Sequence, residues 1–248
     1  ADGLITYTAG GAAYWKKQGM PEDRVIPYYN TIDVEGIRKA GADITEQQRM
    51  EMTHNLGLEG KRVLLFSGRL YPEKKVDFLL RAFAILKQAY PSVALLILGG
   101  GEERSKLERL AEELHLEDVR FLGEIVKPED TAAYFSSAEL MVIPGLVGLA
   151  IVHGFAYGLP LVTTQHDFHS PEIEYLSTAN GVVSEHDIVH YSEAILHLIE
   201  SPADLGCLRQ QAYEQGSHLL IRDSADRFLK GVATLFQQAD RGRCESFI

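Results

Sequence analysis

Only two cysteines, Cys207 and Cys244, occur among 248 residues. Two thiols cannot build the disulfide framework of a small secreted scaffold; they fit a reducing compartment, and a cytoplasmic location is expected. No uninterrupted apolar stretch approaches the ~18–20 residues that a membrane-spanning helix needs, and no secretory signal is recognisable. Positive charge is scarce. Against 35 Asp and Glu there are 24 Lys and Arg, a formal charge of −11. That balance argues against nucleic acid or an anionic membrane as the main partner, while a local cationic spot can still take phosphate. Repeats and low-complexity tracts are missing as well. The sequence starts at Ala1, without an initiator methionine and just ahead of a strand-like run, so a piece of a longer protein is expected.

What is present is a chain that is 46% hydrophobic, enough for a large core. Residues 3–8 read as a short strand, "GAAYWKKQGM" as a helix and "RVIPYYN" as a further extended piece. A polar stretch follows, ending in a helix over about residues 45–56, with Thr45 as N-cap and Gln48 at the capping-box position. From Lys61 onward strands and helices alternate. "RVLLFSG", "SVALLILGGG", "VRFLGEI" and "AELMVIPG" are apolar strands, followed by "PLVTT" and "GVVS". Between the first two, Val76, Leu79, Leu80, Phe83 and Leu86 keep helical spacing. Helices are also expected at about 102–114, 128–137, 148–157, 186–200, 203–216 and 224–238. Strands apolar throughout, alternating with amphipathic helices, predict an α/β fold with a doubly wound, Rossmann-like parallel sheet. Such sheets take their ligands at the carboxyl ends of the strands.

The strand ends are therefore where a site is expected. "SGRLYPEKK" offers Gly68 for close backbone approach, Arg69 as a planar fork suited to phosphate, and Lys74 at the start of the next helix; an ordinary surface loop explains it equally. "LGGGEERSK" lacks the G-x-G-x-x-G spacing, and two glutamates follow at once, so a nicotinamide dinucleotide is disfavoured and a tight turn bordering a ribose or base at Gly100 is expected. At "FLGEI", Gly123 marks a close approach or simply a turn, and Ile125 or Val126 can pack on a flat ring. In "VIPGLVGLAIVHGFAYGLPLVTT" a helix opens at Gly148 and Leu149 with no carboxylate in its first turn, leaving its N–H groups free for an anion. His166, Asp167 and His169 cluster in "TTQHDFHSPEIEY", but they lack ligand spacing on a rigid element, so no metal site is expected. Glu172 starts a helical turn and can face hydroxyl groups of a ligand.

Taken together, these strand ends resemble the C-terminal, nucleotide-sugar-binding domain of the retaining GT-B glycosyltransferases of group 1, or family 4. "FSGRLYPEKKVDFLLRAF" is similar to the segment that holds the donor pyrophosphate, which assigns that role to Arg69 and Lys74. "ALLILGGGEE" and "RFLGEI" resemble the strand ends bordering the nucleoside, which the resemblance assigns to Gly100, Gly123, Ile125 and His153. "PGLVGLAIVHGFAYGLPLVTT" resembles the most diagnostic segment, and "YYNTID" the linker between two domains. Residues 1–30 would then be the last piece of an N-terminal domain and 31–248 the nucleotide-sugar-binding domain. The family carries two glutamates eight positions apart where this sequence has Gly145 and His153. Sugar contacts are therefore expected from Gly68, the backbone around Val147, Gly148 and Leu149, and Glu172.

The resemblance implies transfer of a sugar from a UDP- or GDP-type donor to an acceptor hydroxyl with retained configuration, as in polysaccharide biosynthesis. No cofactor and no metal are expected, because Arg69, Lys74 and the helix start supply positive potential to the leaving diphosphate. A glycan or lipid-linked acceptor would be bound by the absent N-terminal part, with peripheral membrane association for the longer protein; the present chain alone is expected to be inactive. Two rivals remain: a non-catalytic nucleotide-sugar-binding module, and a GT-B-fold epimerase, for which Glu172 is the one obvious acid/base carboxylate.

Overall fold

The computed structural model describes residues 2–166 and 168–245, with side chains up to residue 238. The chain opens with β1 (Leu4–Thr6), α1 (Ala9–Lys17) and β2 (Val25–Pro27), and the two strands pair in parallel as a small separate sheet. Helices α2 (Val34–Ala42) and α3 (Glu46–Asn55) lead into the main unit. There follow β3 (Arg62–Ser67), α4 (Val76–Ala89), β4 (Val93–Leu98), α5 (Arg104–Glu113), β5 (Val119–Gly123), α6 (Pro128–Ser137) and β6 (Leu140–Val142). Then come α7 (Ala150–Ala156), β7 (Leu161–Thr164), β8 (Gly181–Ser184), α8 (Ile188–Glu200), α9 (Pro202–Ser217) and α10 (Ile221–Glu245).

The main sheet has six parallel strands in the order β5-β4-β3-β6-β7-β8. All six residues of β4 are buried, as are residues 63–66 of β3, which is what a strand covered on both faces requires. Val76, Leu79, Leu80, Phe83 and Leu86 are all buried along α4, the stripe their spacing predicts. Each such side chain stabilises the fold by roughly 1.5–3 kcal/mol through its removal from water. From β3 the chain winds outward through β4 and β5, returns to β6, and winds outward the other way. Strand order thus reverses between β3 and β6, and a crevice opens at their carboxyl ends.

The capping box at Thr45 and Gln48 forms as the sequence predicts. Helix α2, by contrast, lies in what reads as a polar stretch: Gly36 and Gly41 dilute its helix propensity. Its signals are the Asp33 carboxylate, which caps it by accepting from the Gly36 N–H at 3.0 Å, and the buried Val34, Ile37 and Ala40, three apart on one face.

Candidate functional site

At the end of β3 the chain makes a short 3-10 turn, Pro72–Lys74, before α4 begins. Lys74 belongs to this turn and not to the helix start that the sequence suggests; Lys75 stands between them with φ 54°. Lys74 is buried, 6% exposed. Its Nζ donates to the Leu146 carbonyl at 2.6 Å. Burial lowers its pKa from 10.5 to about 8, because an ammonium gives up hydration that no carboxylate replaces there. Gly68 lies alongside: a β-carbon on it would sit 3.7 Å from that Nζ. Arg69 is exposed at the mouth of the crevice. Among the described residues its guanidinium has no hydrogen bond or ion pair, so its donor fork is available.

The end of β6 is laced to this turn. The Leu146 N–H donates to the Glu73 carbonyl at 2.8 Å. Gly145 packs so tightly that a β-carbon would lie 2.2 Å from the same oxygen. On its other side the loop is held from β7. Thr164 Oγ1 donates to the Pro144 carbonyl at 2.7 Å, and the Ser170 N–H donates to the Val147 carbonyl at 3.0 Å. The Val147 N–H donates to His169 Nδ1 at 3.1 Å. That bond corrects one expectation: the Val147 amide is already engaged within the protein and cannot also serve a sugar. The N–H groups of Gly148, Leu149 and Ala150, at the start of α7, have no partner among the described residues.

Ser67, Gly68, Arg69, Gly100, Glu124, Ile125, Val126, Thr131 and His153 line one cavity of about 270 Å³ at this crevice. Gly68, Arg69, Gly100, Ile125 and His153, all expected at the site from the sequence, are brought together here. The turn after β4 is closed by Gly99, whose φ is 148° and whose β-carbon would fall 1.9 Å from the Gly68 carbonyl oxygen. Gly99→Ala is expected to destabilise the protein by about 2–3 kcal/mol, combining a strained φ with a backbone clash; a urea midpoint equal to wild type would contradict this packing. Gly123 does not line the cavity. Its carbonyl accepts from the Gly99 N–H at 2.8 Å, and Arg104 Nη1 covers it, 3.0 Å from where a β-carbon would be.

His153 stacks on Phe135 with ring centroids 4.0 Å apart, and burial pushes its pKa down to about 4. The ring is therefore neutral. Among the described residues its Nε2 is buried without a partner, so a hydrogen bond to a ribose through that atom requires the ring to turn. Glu172 is buried in a second 3-10 turn, Pro171–Tyr175. Its Oε1 accepts from Asn30 Nδ2 at 2.6 Å, and Glu174 accepts from Thr8 Oγ1 and the Gly10 N–H, both at 2.8 Å. The two carboxylates tie the main unit to the N-terminal segment, a role the sequence does not announce.

Of the histidine cluster, Asp167 lies outside the described residues. His169 has both ring nitrogens engaged, Nε2 with the Thr164 carbonyl at 3.0 Å, and no group of metal-binding side chains occurs among the described residues. His186, the first residue of the helix expected at 186–200, precedes α8, stacks on Phe78 at 4.7 Å and meets Thr164 Oγ1 at 2.8 Å. Larger hollows lie on α3 (about 740 Å³) and beside α5 (about 480 Å³). A third, of about 320 Å³, lies between the N-terminal segment and α9, lined by Ala9, Tyr29, Glu174 and His218 among others. None of the three is lined by the glycine turns at the ends of β3 and β4, so the smaller cavity is the candidate site. No helix of the described residues is long and apolar enough to cross a membrane.

Comparison with known proteins identifies a family and a fold. Residues 48–217 match the family described as glycosyl transferases group 1. D-inositol 3-phosphate glycosyltransferase 1 of Catenulispora acidiphila is 31% identical over 92% of this chain and 56% of its own length. Alpha-monoglucosyldiacylglycerol synthase of Streptococcus pneumoniae is 25% identical over 78% of this chain and 44% of its own. The chain thus spans about half the length of these relatives. Among solved structures, Anabaena HepE in complex with UDP superposes with a TM-score of 0.76 at 20% identity, covering 96% of this chain and 64% of that one. A glycosyltransferase from Rickettsia africae gives 0.78 at 12% identity, covering 94% and 63%. At such identities these two establish the fold, a GT-B type of sheet.

Proposed function

The chain belongs to the group 1 glycosyl transferases, and from that premise we propose that its crevice between β3 and β6 seats the diphosphate of a nucleotide-sugar donor. The observation that carries this reading is the convergence of Gly68, Arg69, Gly100, Ile125 and His153 on one cavity, beside the buried Lys74 ammonium. In the proposed mechanism the diphosphate gains negative charge as the glycosidic bond breaks. Arg69, Lys74 and the free N–H groups of Gly148, Leu149 and Ala150 stabilise that charge in place of a metal ion. Reaction occurs on one face of the sugar with retention, and the departing phosphate takes the acceptor proton, so no side-chain base is required at Gly145. A glycan or lipid-linked acceptor, bound by a preceding N-terminal domain of which residues 1–30 are the end, completes the reaction in the longer protein. UDP in a structural relative supports a uridine or related donor.

The test is calorimetric titration of this chain with UDP, GDP, ADP and dTDP, with and without EDTA. One of them is expected to bind, equally well with the chelator. Arg69→Ala is expected to weaken it by on the order of 2 kcal/mol, the worth of a charge-assisted pair. An unchanged dissociation constant would remove Arg69 from the site, and loss of binding in EDTA would overturn metal independence. A non-catalytic module is the second reading, favoured by Gly145, where the packing admits no carboxylate; sugar transfer by the longer protein would exclude it. An epimerase would need an acid/base carboxylate in the crevice, and Glu172 does not line the cavity.

A further inference from the structure

We infer that His169 is a positioning residue for the donor site, its neutral imidazole clamping the Val147 amide to the end of β7 so that the loop into α7 keeps one orientation. This rests on the reading of the crevice as a diphosphate site. The chemistry of the two bonds permits a single form of the ring. An amide N–H can only donate, so Nδ1, 3.1 Å from the Val147 nitrogen, must be the unprotonated acceptor. A carbonyl oxygen can only accept, so Nε2, 3.0 Å from the Thr164 oxygen, carries the hydrogen.

The clamp is the middle of a continuous series. Thr164 holds the Pro144 carbonyl through Oγ1 and His169 through its own carbonyl. His169 holds the Val147 N–H, and the next residue, Ser170, holds the Val147 carbonyl. Immediately beyond Val147 come Gly148, Leu149 and Ala150, whose N–H groups are unpartnered among the described residues. Without the clamp Val147 keeps one tie instead of two, and those three donors lose their common direction. The ring is half-buried, and among the described residues the groups acting on it are the peptide of Thr164, His166 of its own loop and Lys74 from the turn after β3. His166 sits with its ring centroid 5.5 Å away.

Protonation would set an Nδ1–H against the Val147 N–H and break the clamp. Burial, which strips water from the charged ring, is the main reason its pKa lies below the ordinary 6.5, with His166 and Lys74 adding to it. The neutral, clamped form therefore persists through neutral pH. It is lost on acidification below 6.5, as pH falls through the lowered value. Donor affinity should fall with it by one proton's worth.

Two variants separate the roles. In His169→Asn the side-chain oxygen can still accept from Val147 but does not titrate; in His169→Ala the bond is gone. At neutral pH, His169→Ala is expected to weaken UDP (or whichever of UDP, GDP, ADP and dTDP binds) by about tenfold, one hydrogen bond's worth, while His169→Asn stays within about threefold. The phosphate's own titration is common to wild type and His169→Asn, so the extra acid limb of wild type belongs to the ring. In the nucleotide-free protein, NMR should find the Nε2–H tautomer, with the amides of Val147, Gly148, Leu149 and Ala150 shifting in step with its protonation, and no such step in His169→Asn. Identical acid limbs in wild type and His169→Asn, or amides indifferent to the ring's titration, would overturn the inference. Failure of all four nucleotides to bind would instead overturn the donor reading, with the NMR titration still deciding the clamp.

Discussion

Lys74→Met is expected to weaken nucleoside diphosphate binding by on the order of 2–3 kcal/mol, a loss of roughly 30- to 150-fold, as when one member of a charge-assisted pair is removed. The free protein bears the cost of this group. Holding the ammonium in a site that lowers its pKa to about 8 costs on the order of 3 kcal/mol relative to water, offset in part by the bond to Leu146. Stability is therefore highest when Lys74 is neutral. As pH falls from 10.5 through about 8, the unfolded chain takes its proton first and the folded state loses that advantage. A methionine of similar length keeps the packing and removes the charge, so the melting temperature of the nucleotide-free variant should not fall. Binding a diphosphate restores favour to the charged form. The wild type should take up a proton on binding above pH 8, and its affinity should decline as pH rises through that value. Calorimetry in buffers of different ionisation enthalpy reads this uptake directly. Binding by Lys74→Met as tight as wild type would remove Lys74 from the site.

Position 145 gives the second large effect. Family resemblance invites restoring a carboxylate by Gly145→Glu, and the packing shows why this should fail. Any β-carbon there meets the Glu73 carbonyl oxygen at 2.2 Å and the Lys74 carbonyl carbon at 2.5 Å. Backbone cannot rotate away as a flexible side chain would, so the turn carrying Lys74 must move as a unit. Both Gly145→Ala and Gly145→Glu are expected to destabilise by about 3 kcal/mol, at the upper end of overpacking, and to lose nucleotide affinity together with stability. Urea midpoints and UDP titrations check the two parts. A Gly145→Glu protein that is as stable as wild type and binds more tightly would show that the loop is free to adapt.

The parts of this molecule set by local periodicity could be read from its residues. The α4 stripe, the apolar strands and the capping box at Thr45 depend on neighbours in sequence, and they form where expected. So does the doubly wound sheet, since strands without polar alternation have to be covered on both faces. The switch point follows from strand order, and it gathers Gly68, Arg69, Gly100 and Ile125 from three loops and His153 from α7. What could not be read depends on contacts between segments far apart in the chain. Lys74 looks like an exposed loop cation until Gly68 and Leu146 enclose it. Glu172 looks free until Asn30 reaches it from 142 residues away. His169 has no readable role in the sequence; Val147 and Thr164 engage both its nitrogens only in the fold. Helix α2 was obscured for a local reason, its two glycines, although the Asp33 cap and the spacing of Val34, Ile37 and Ala40 were there to be found.

The most direct measurement is an amide-resolved NMR titration of this chain with the nucleoside diphosphate that binds it. The expected result is a set of saturating shifts at Gly68, Arg69, Gly100, Gly148, Leu149 and Ala150, with the Val147 amide retaining its bond to His169. Shifts confined to α3 or to the hollow beside α5, with the ends of β3 and β6 unmoved, would contradict a diphosphate site at the switch point.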